Sequence, residues 1–137
     1  MSVSISKMLS ANDTGETGGH QAGIHVPKER RLLAFFPSLD PSILNPRCHL
    51  FFEEKNGQRW EFAFIYYNNR FFGGTRNEYR LTRMTKYMVK YDLKTGDKIV
   101  LDRLAEDQYR VRYERKDQPE RKDGVLKLGA GWRIIDI

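Results

Sequence analysis

The chain has 137 residues, 39% of them hydrophobic and 31% charged, which sets one domain with a compact core under a heavily charged surface. Its formal net charge of +6 and pI of about 9.5 favour a polyanionic partner, of which nucleic acid is the commonest. A single cysteine, Cys48, excludes an intrachain disulfide and a cysteine zinc site and fits a reducing, intracellular compartment. No apolar run reaches the length of about 18 residues that a membrane span needs, and residues 1–9 lack the apolar core of a signal peptide.

Val3 and Ile5 predict a first short strand. Residues 10–23 are small, polar and Gly-rich without apolar periodicity, which predicts a long loop or arm. Its backbone can approach phosphate closely, and Ser10, Asn12, Thr14, Thr17 and Gln21 supply neutral hydrogen-bonding groups. No Gly-Lys-Ser/Thr follows the glycines, so this is not a nucleotide P-loop. His20 and His25 lack a second ligand pair, so base or phosphate contact fits them better than a metal. Residues 24–26 predict a strand, and residues 28–36, after Pro27, a short helix whose apolar side caps a sheet or barrel.

From residue 49 the pattern is β. Residues 49–53 and 59–67 are aromatic-rich strands joined by Asn56-Gly57, a strong hairpin signal. Trp60, Phe62, Phe64 and Tyr66 share one face of the second strand. Further strands are predicted at 79–84, 99–101 and 109–113, and residues 125–137 close the chain with core candidates such as Trp132 and Ile134. About seven short strands and one clear helix predict a small, mostly β barrel.

Residues 66–83 read YYNNRFFGGTRNEYRLTR. Residues two apart in a strand share a face, so Arg76, Glu78 and Arg80 point the same way if the segment is extended. The bland interpretation is an exposed ion-pair ladder. The sharper one is base readout, because arginine forks onto guanine and glutamate accepts from the cytosine amino group.

The one catalytic pattern is Asp40 followed by Glu53-Glu-Lys55, the form of a Mg²⁺-dependent nuclease site. It is loose, and Glu54 and Lys55 lead straight into the Asn56-Gly57 turn, where charges are expected to be simply solvated.

Residues 9–23 and 66–83 closely resemble the N-terminal, effector domain of EcoRII-like restriction endonucleases. The resemblance implies a DNA-binding pseudobarrel, a seven-stranded open β-barrel with one or two short helices, in which two arms grip the major groove. It maps base-reading positions onto His20, His25, Arg76, Glu78 and Arg80. It gives backbone or arm positions to the polar residues of the first block and to Asn77 and Tyr79; Arg70, Arg83, Lys86, Lys90, Arg110 and Arg112 are the cationic candidates for phosphate. His25 stands where the EcoRII pattern has a tyrosine, and Gly74 and Tyr79 where it has lysines.

The implied target is double-stranded DNA carrying CC(A/T)GG or a shortened form. The domain, residues 1–137, is expected to be monomeric, cytoplasmic in a bacterium, non-catalytic and without a cofactor. It would be excised from a longer enzyme, with Mg²⁺ serving only a separate C-terminal nuclease domain.

Overall fold

The computed structural model describes residues 2–16, 23–116 and 125–135. Nine strands among them form one curled sheet: β1 (Val3–Met8), β2 (Ile24–Val26), β3 (Arg47–Glu53), β4 (Arg59–Tyr67), β5 (Glu78–Thr82), β6 (Lys98–Ala105), β7 (Gln108–Glu114), β8 (Val125–Lys127) and β9 (Trp132–Ile135). Their order is β2-β5-β4-β3-β7-β6-β1-β9-β8. Every neighbouring pair is antiparallel except β3–β7, which pairs Phe52 with Tyr109 and Glu53 with Arg110. The mostly β pseudobarrel is therefore the architecture. The strand count exceeds seven in part because the last segment breaks at a 3-10 turn, Gly129–Gly131, and pairs with itself as β8 and β9.

The sheet curls back on itself, bringing β9 against the edge strand β2. The indole Nε1 of Trp132 on β9 donates to the carbonyl of His25 on the edge strand β2 at 2.9 Å. One side chain thus bridges the barrel's opening, and its ring is buried.

Alternation fills the interior. Phe52, Phe62, Phe64, Leu81, Leu101, Val111 and Ile134 are all buried in one continuous core. On β4 the expected face holds, with Phe62, Phe64 and Tyr66 buried and Trp60 half-buried. Ala63 and Ile65, on its other face, are buried as well. The Asn56-Gly57 hairpin forms, with Gly57 at φ +91°.

The predicted helix at 28–36 is shorter than expected. Only α2 (Arg30–Leu33) is α-helical, and its cap is Glu29, whose carboxylate accepts from the Leu32 amide at 3.0 Å. The chain then tightens through i→i+3 bonds at Phe35 and Phe36. Those two rings plug the barrel, Phe36 stacking on Phe64 at 4.2 Å between centroids. Arg103 donates to the Phe35 carbonyl at 3.0 Å and pins the plug.

Three expectations need correction. Residues 11–14, read as loop, form a one-turn helix α1 (Ala11–Thr14), because Ser10 and Asp13 complete a reciprocal capping box. A helix α3 (Thr85–Lys90), not anticipated, buries Tyr87 and Met88. Glu54 is not solvated: it is 8% exposed, and accepts from Trp60 Nε1 at 2.8 Å and from the Tyr91 hydroxyl. A carboxylate can be buried when such donors replace its lost water.

Candidate nucleic-acid interface

Strand β5 carries the Arg-x-Glu-x-Arg pattern, and its period of two sorts it cleanly. Leu81 points into the core, while Glu78 and Arg80 lie on the outer face. Register extends that face across the sheet. His25 stands opposite Arg80 on β2, Ile65 opposite Arg80 on β4, and Arg47 opposite Ile65 on β3. Directly paired residues share a face, so His25, Arg80 and Arg47 lie in one row.

Glu78 joins the two arginines. Arg76 Nη2 and Nε donate to its Oε1 at 2.6 and 3.0 Å. Arg80 Nη2 donates to Oε2 at 3.4 Å, and Arg80 Nε sits 3.3 Å from Oε1 but too poorly aligned to donate. Burial disfavours the charged carboxylate, but the bonds from Arg76 and Arg80 outweigh it and hold the Glu78 carboxyl below its usual range. Arg76 spends two of its five N–H groups this way, so three are left for a ligand. Its guanidinium lies over the Tyr67 ring at 3.8 Å, which fixes the plane in which the fork is presented.

The segment leading into β5 is braced from both sides. Asn68 is fully buried; its Oδ1 accepts from the Asn45 amide at 2.7 Å and its Nδ2 donates to the Ile43 carbonyl at 2.8 Å. A 3-10 turn follows (Asn69–Phe72), closed by Asn69 Oδ1 accepting from the Arg76 amide at 2.6 Å and by the Arg70 amide donating to the Arg76 carbonyl at 2.9 Å. Gly74 is needed there, since a Cβ would come within 2.6 Å of the Asn69 side chain. The Tyr66 hydroxyl donates to Asn77 Oδ1 at 2.6 Å.

Arg80 also reaches the first arm, donating from Nη1 to the Gly23 carbonyl at 2.9 Å. An open cleft of about 500 Å³ lies beside it, lined by Lys7, Ser10, Asn12, His25, Arg80 and Gly131 among others. This arrangement presents two guanidinium forks, one carboxylate acceptor and one imidazole on a single outward surface. That set can read the donor and acceptor pattern of base edges.

Residues 2–112 match the family model described as restriction endonuclease EcoRII, N-terminal. The chain belongs to this family. It is also 46% identical over 80 residues to the Type II restriction enzyme EcoRII of Escherichia coli. That alignment takes in 56% of this chain and 20% of the relative, so the chain spans a small part of the relative's length.

The EcoRII N-terminal pattern assigned by sequence is brought together only in part. His25, Arg76, Glu78 and Arg80 share one surface. His20, Thr17 and Gln21 lie outside the described residues. Ser10 caps α1, Thr14 donates to the Ala11 carbonyl at 3.3 Å, and Asn12 is exposed. Asn77 positions the arm through Tyr66. Tyr79 does not share the outer face: its ring stacks between Phe64 and Tyr66, at 5.5 and 4.3 Å, because it alternates with Glu78 and Arg80.

The basic candidates divide. Arg70, Arg83 and Lys86 are exposed. Lys90 bends back onto Gln58, Glu54 and the rings of Trp60 and Tyr91. Arg110 and Arg112 sit on β7, separated from β5 by β4 and β3, and Arg112 is paired with Asp102 at 3.2 Å. Two residues that sequence reasoning missed are Arg47 and Tyr67. The first emerges only from register across three strands, and the second from its place beneath Arg76.

The nuclease pattern is not assembled. Asp40 accepts from the Ser42 amide and hydroxyl, in a loop tied to Asn68 near the Arg47 end of β3. Glu53 lies at the other end of that strand. Six strand steps separate Arg47 from Glu53, roughly 20 Å. Among the described residues no group of three or more His, Cys, Asp or Glu side chains is placed to hold a metal ion. No helix among them is long and apolar enough to cross a membrane.

Proposed function

We propose that this domain is a sequence-specific double-stranded DNA-binding module that takes CC(A/T)GG, or a shortened form, in the major groove and targets or activates an endonuclease. The observation that carries the reading is the Arg76–Glu78–Arg80 ladder on the outer face of β5 with His25 opposite Arg80. Arg76 and Arg80 each fork onto guanine O6 and N7, and Glu78 accepts from cytosine N4 while holding the two forks in register. Family membership and the 46% identity to a restriction enzyme support the same reading. The domain acts as a monomer in the bacterial cytoplasm and needs no cofactor, Mg²⁺ belonging to a catalytic domain elsewhere in the full-length enzyme.

The test is competition binding at two salt concentrations. A labelled CC(A/T)GG duplex is challenged with CC(G/C)GG, scrambled and single-stranded DNA, for the wild type and Arg80→Ala. A preference of about a hundredfold or more over scrambled duplex is expected. Arg80→Ala should remove about 1–3 kcal/mol of that preference while changing random-DNA binding far less. Equal competition by every duplex would reject base readout.

A further inference from the structure

The arm between β4 and β5 holds two side chains that the base-reading surface does not use. Phe71 and Phe72, in the 3-10 turn, are 65% and 49% exposed. Turns of this kind ordinarily carry polar residues and glycine, and two adjacent rings facing water are unfavourable for an isolated domain. Neither ring stacks on another aromatic ring among the described residues.

The turn is nevertheless built to hold them out. Its first residue is bonded through Asn69 Oδ1 to the Arg76 amide, Arg70 is bonded backbone to backbone with Arg76, and the Gly74 amide donates to the Asn69 carbonyl at 2.7 Å. The rings are therefore rigidly coupled to the first arginine of the base-reading ladder. Exposed Arg70 stands beside them in the same turn, so a polyanion seated on Arg76 meets a cation and two apolar faces next.

We propose that Phe71 and Phe72 form an aromatic contact to the DNA flanking the recognition sequence, packing on thymine 5-methyl groups or deoxyribose beyond the bases read by Arg76. This rests on the DNA-binding reading above. It extends the footprint past the symmetric site and makes affinity depend on base pairs that no arginine touches. Phenylalanine supplies that kind of contact because its apolar face matches thymine methyl and sugar and asks for no hydrogen bond.

Wild type and the double variant Phe71→Ala/Phe72→Ala are titrated with three duplexes. One carries CC(A/T)GG with thymine-rich flanks, one has uracil replacing each flanking thymine, and one is scrambled. The variant is expected to bind the first duplex roughly fivefold to tenfold more weakly, with its preference over scrambled DNA retained. If wild type but not the variant weakens on uracil, the partner is the methyl group; if the variant is weaker by the same factor on both flanks, it is the sugar.

Unchanged affinity of the variant on the first duplex, with wild type still preferring the site, would overturn the inference. A variant that alters only self-association in sedimentation would overturn it as well. Absence of any site preference in the wild type would instead reject the base-reading proposal. Should the variant fail to fold, wild type is crosslinked to 5-iodouracil placed in the flanks. Adducts at residues 71 or 72 support the contact, and adducts confined to other residues reject it.

Discussion

Trp132 donates its indole N–H to the backbone carbonyl of His25, so a β9 side chain closes the barrel onto the strand that carries a base-reading candidate. Strand β2 is three residues long and, among the described residues, pairs only with β5. The indole adds a bond to an edge element otherwise held by β5 and by the buried side chains of Ile24 and Val26. Trp132→Phe keeps an aromatic ring but deletes this bond and part of the buried volume. It should lower unfolding free energy by about 1–3 kcal/mol, read from the urea midpoint. Site preference should fall with it, because β2 is freed to shift relative to Arg80. An unchanged midpoint would mean that the seam contributes nothing.

Glu78 gives a signed pH dependence. Its folded-state pKa lies below the ordinary 4.5, burial being outweighed by the bonds from Arg76 and Arg80. A depressed carboxyl stabilises the fold above its unfolded value and loses that contribution as pH falls through the folded value. The stability difference between wild type and Glu78→Gln should thus be flat above pH 4.5 and shrink below it. Arg76 is 37% exposed and Glu78 26%, so the difference should be under about 1 kcal/mol. On DNA the same variant should bind scrambled duplex more tightly and discriminate less, since two arginines lose their neutralising partner. A pH series of urea melts beside one competition titration checks both halves.

Much of this was legible in the chain, and the failures have physical causes. Period two in β5 placed the inward and outward residues, since a strand with one packed face enforces it, whereas β4 is buried on both faces from Phe62 to Tyr66. The Asn56-Gly57 turn was readable because few other sequences allow its backbone. Helix α3 was missed although Met84, Tyr87, Met88 and Tyr91 recur at helical spacing, because it lies between two strand-like runs. The capping of α1 was hidden in a Gly-rich stretch where Ser10 and Asp13 looked like generic polar residues. Arg47 could not be found without register across β5, β4 and β3, nor Tyr67 without the fold that lays it beneath Arg76. Nor could Glu54, whose burial depends on Trp60 and on Tyr91, which lies 37 residues away in sequence.

Gly23 sits at the root of the first arm with φ +95°, and its carbonyl holds Arg80. An added Cβ would fall 2.4 Å from the Leu81 carbonyl oxygen and 2.7 Å from Thr82 Cγ2. The oxygen belongs to backbone and cannot swing aside. Gly57 has a similar φ of +91° but meets nothing within 4 Å. Gly57→Ala should therefore cost only the backbone strain of about 1 kcal/mol. Gly23→Ala should cost at least about 2–3 kcal/mol and displace Arg80, so that specific binding falls while random-DNA binding holds. Parallel urea melts separate the two; equal losses would show that the clash relaxes freely.

Arg47 and Lys90 should behave oppositely toward phosphate, although charge alone treats them alike. Arg47 is exposed and stands in the row of Arg80 and His25. Lys90 is drawn onto Gln58, Glu54, Trp60 and Tyr91. Each phosphate contact contributes about 0.9 to the slope of log affinity against log salt concentration. Arg47→Ala should flatten that slope by about 0.9 and weaken every duplex alike, because phosphate carries no sequence information. Lys90→Ala should leave the slope as it was and instead lower the melting temperature, since Glu54 loses a neighbouring charge. A salt titration of both variants on cognate and scrambled duplex decides it. A flattened slope for Lys90→Ala would mean that its side chain leaves Glu54 to meet the backbone when DNA is bound.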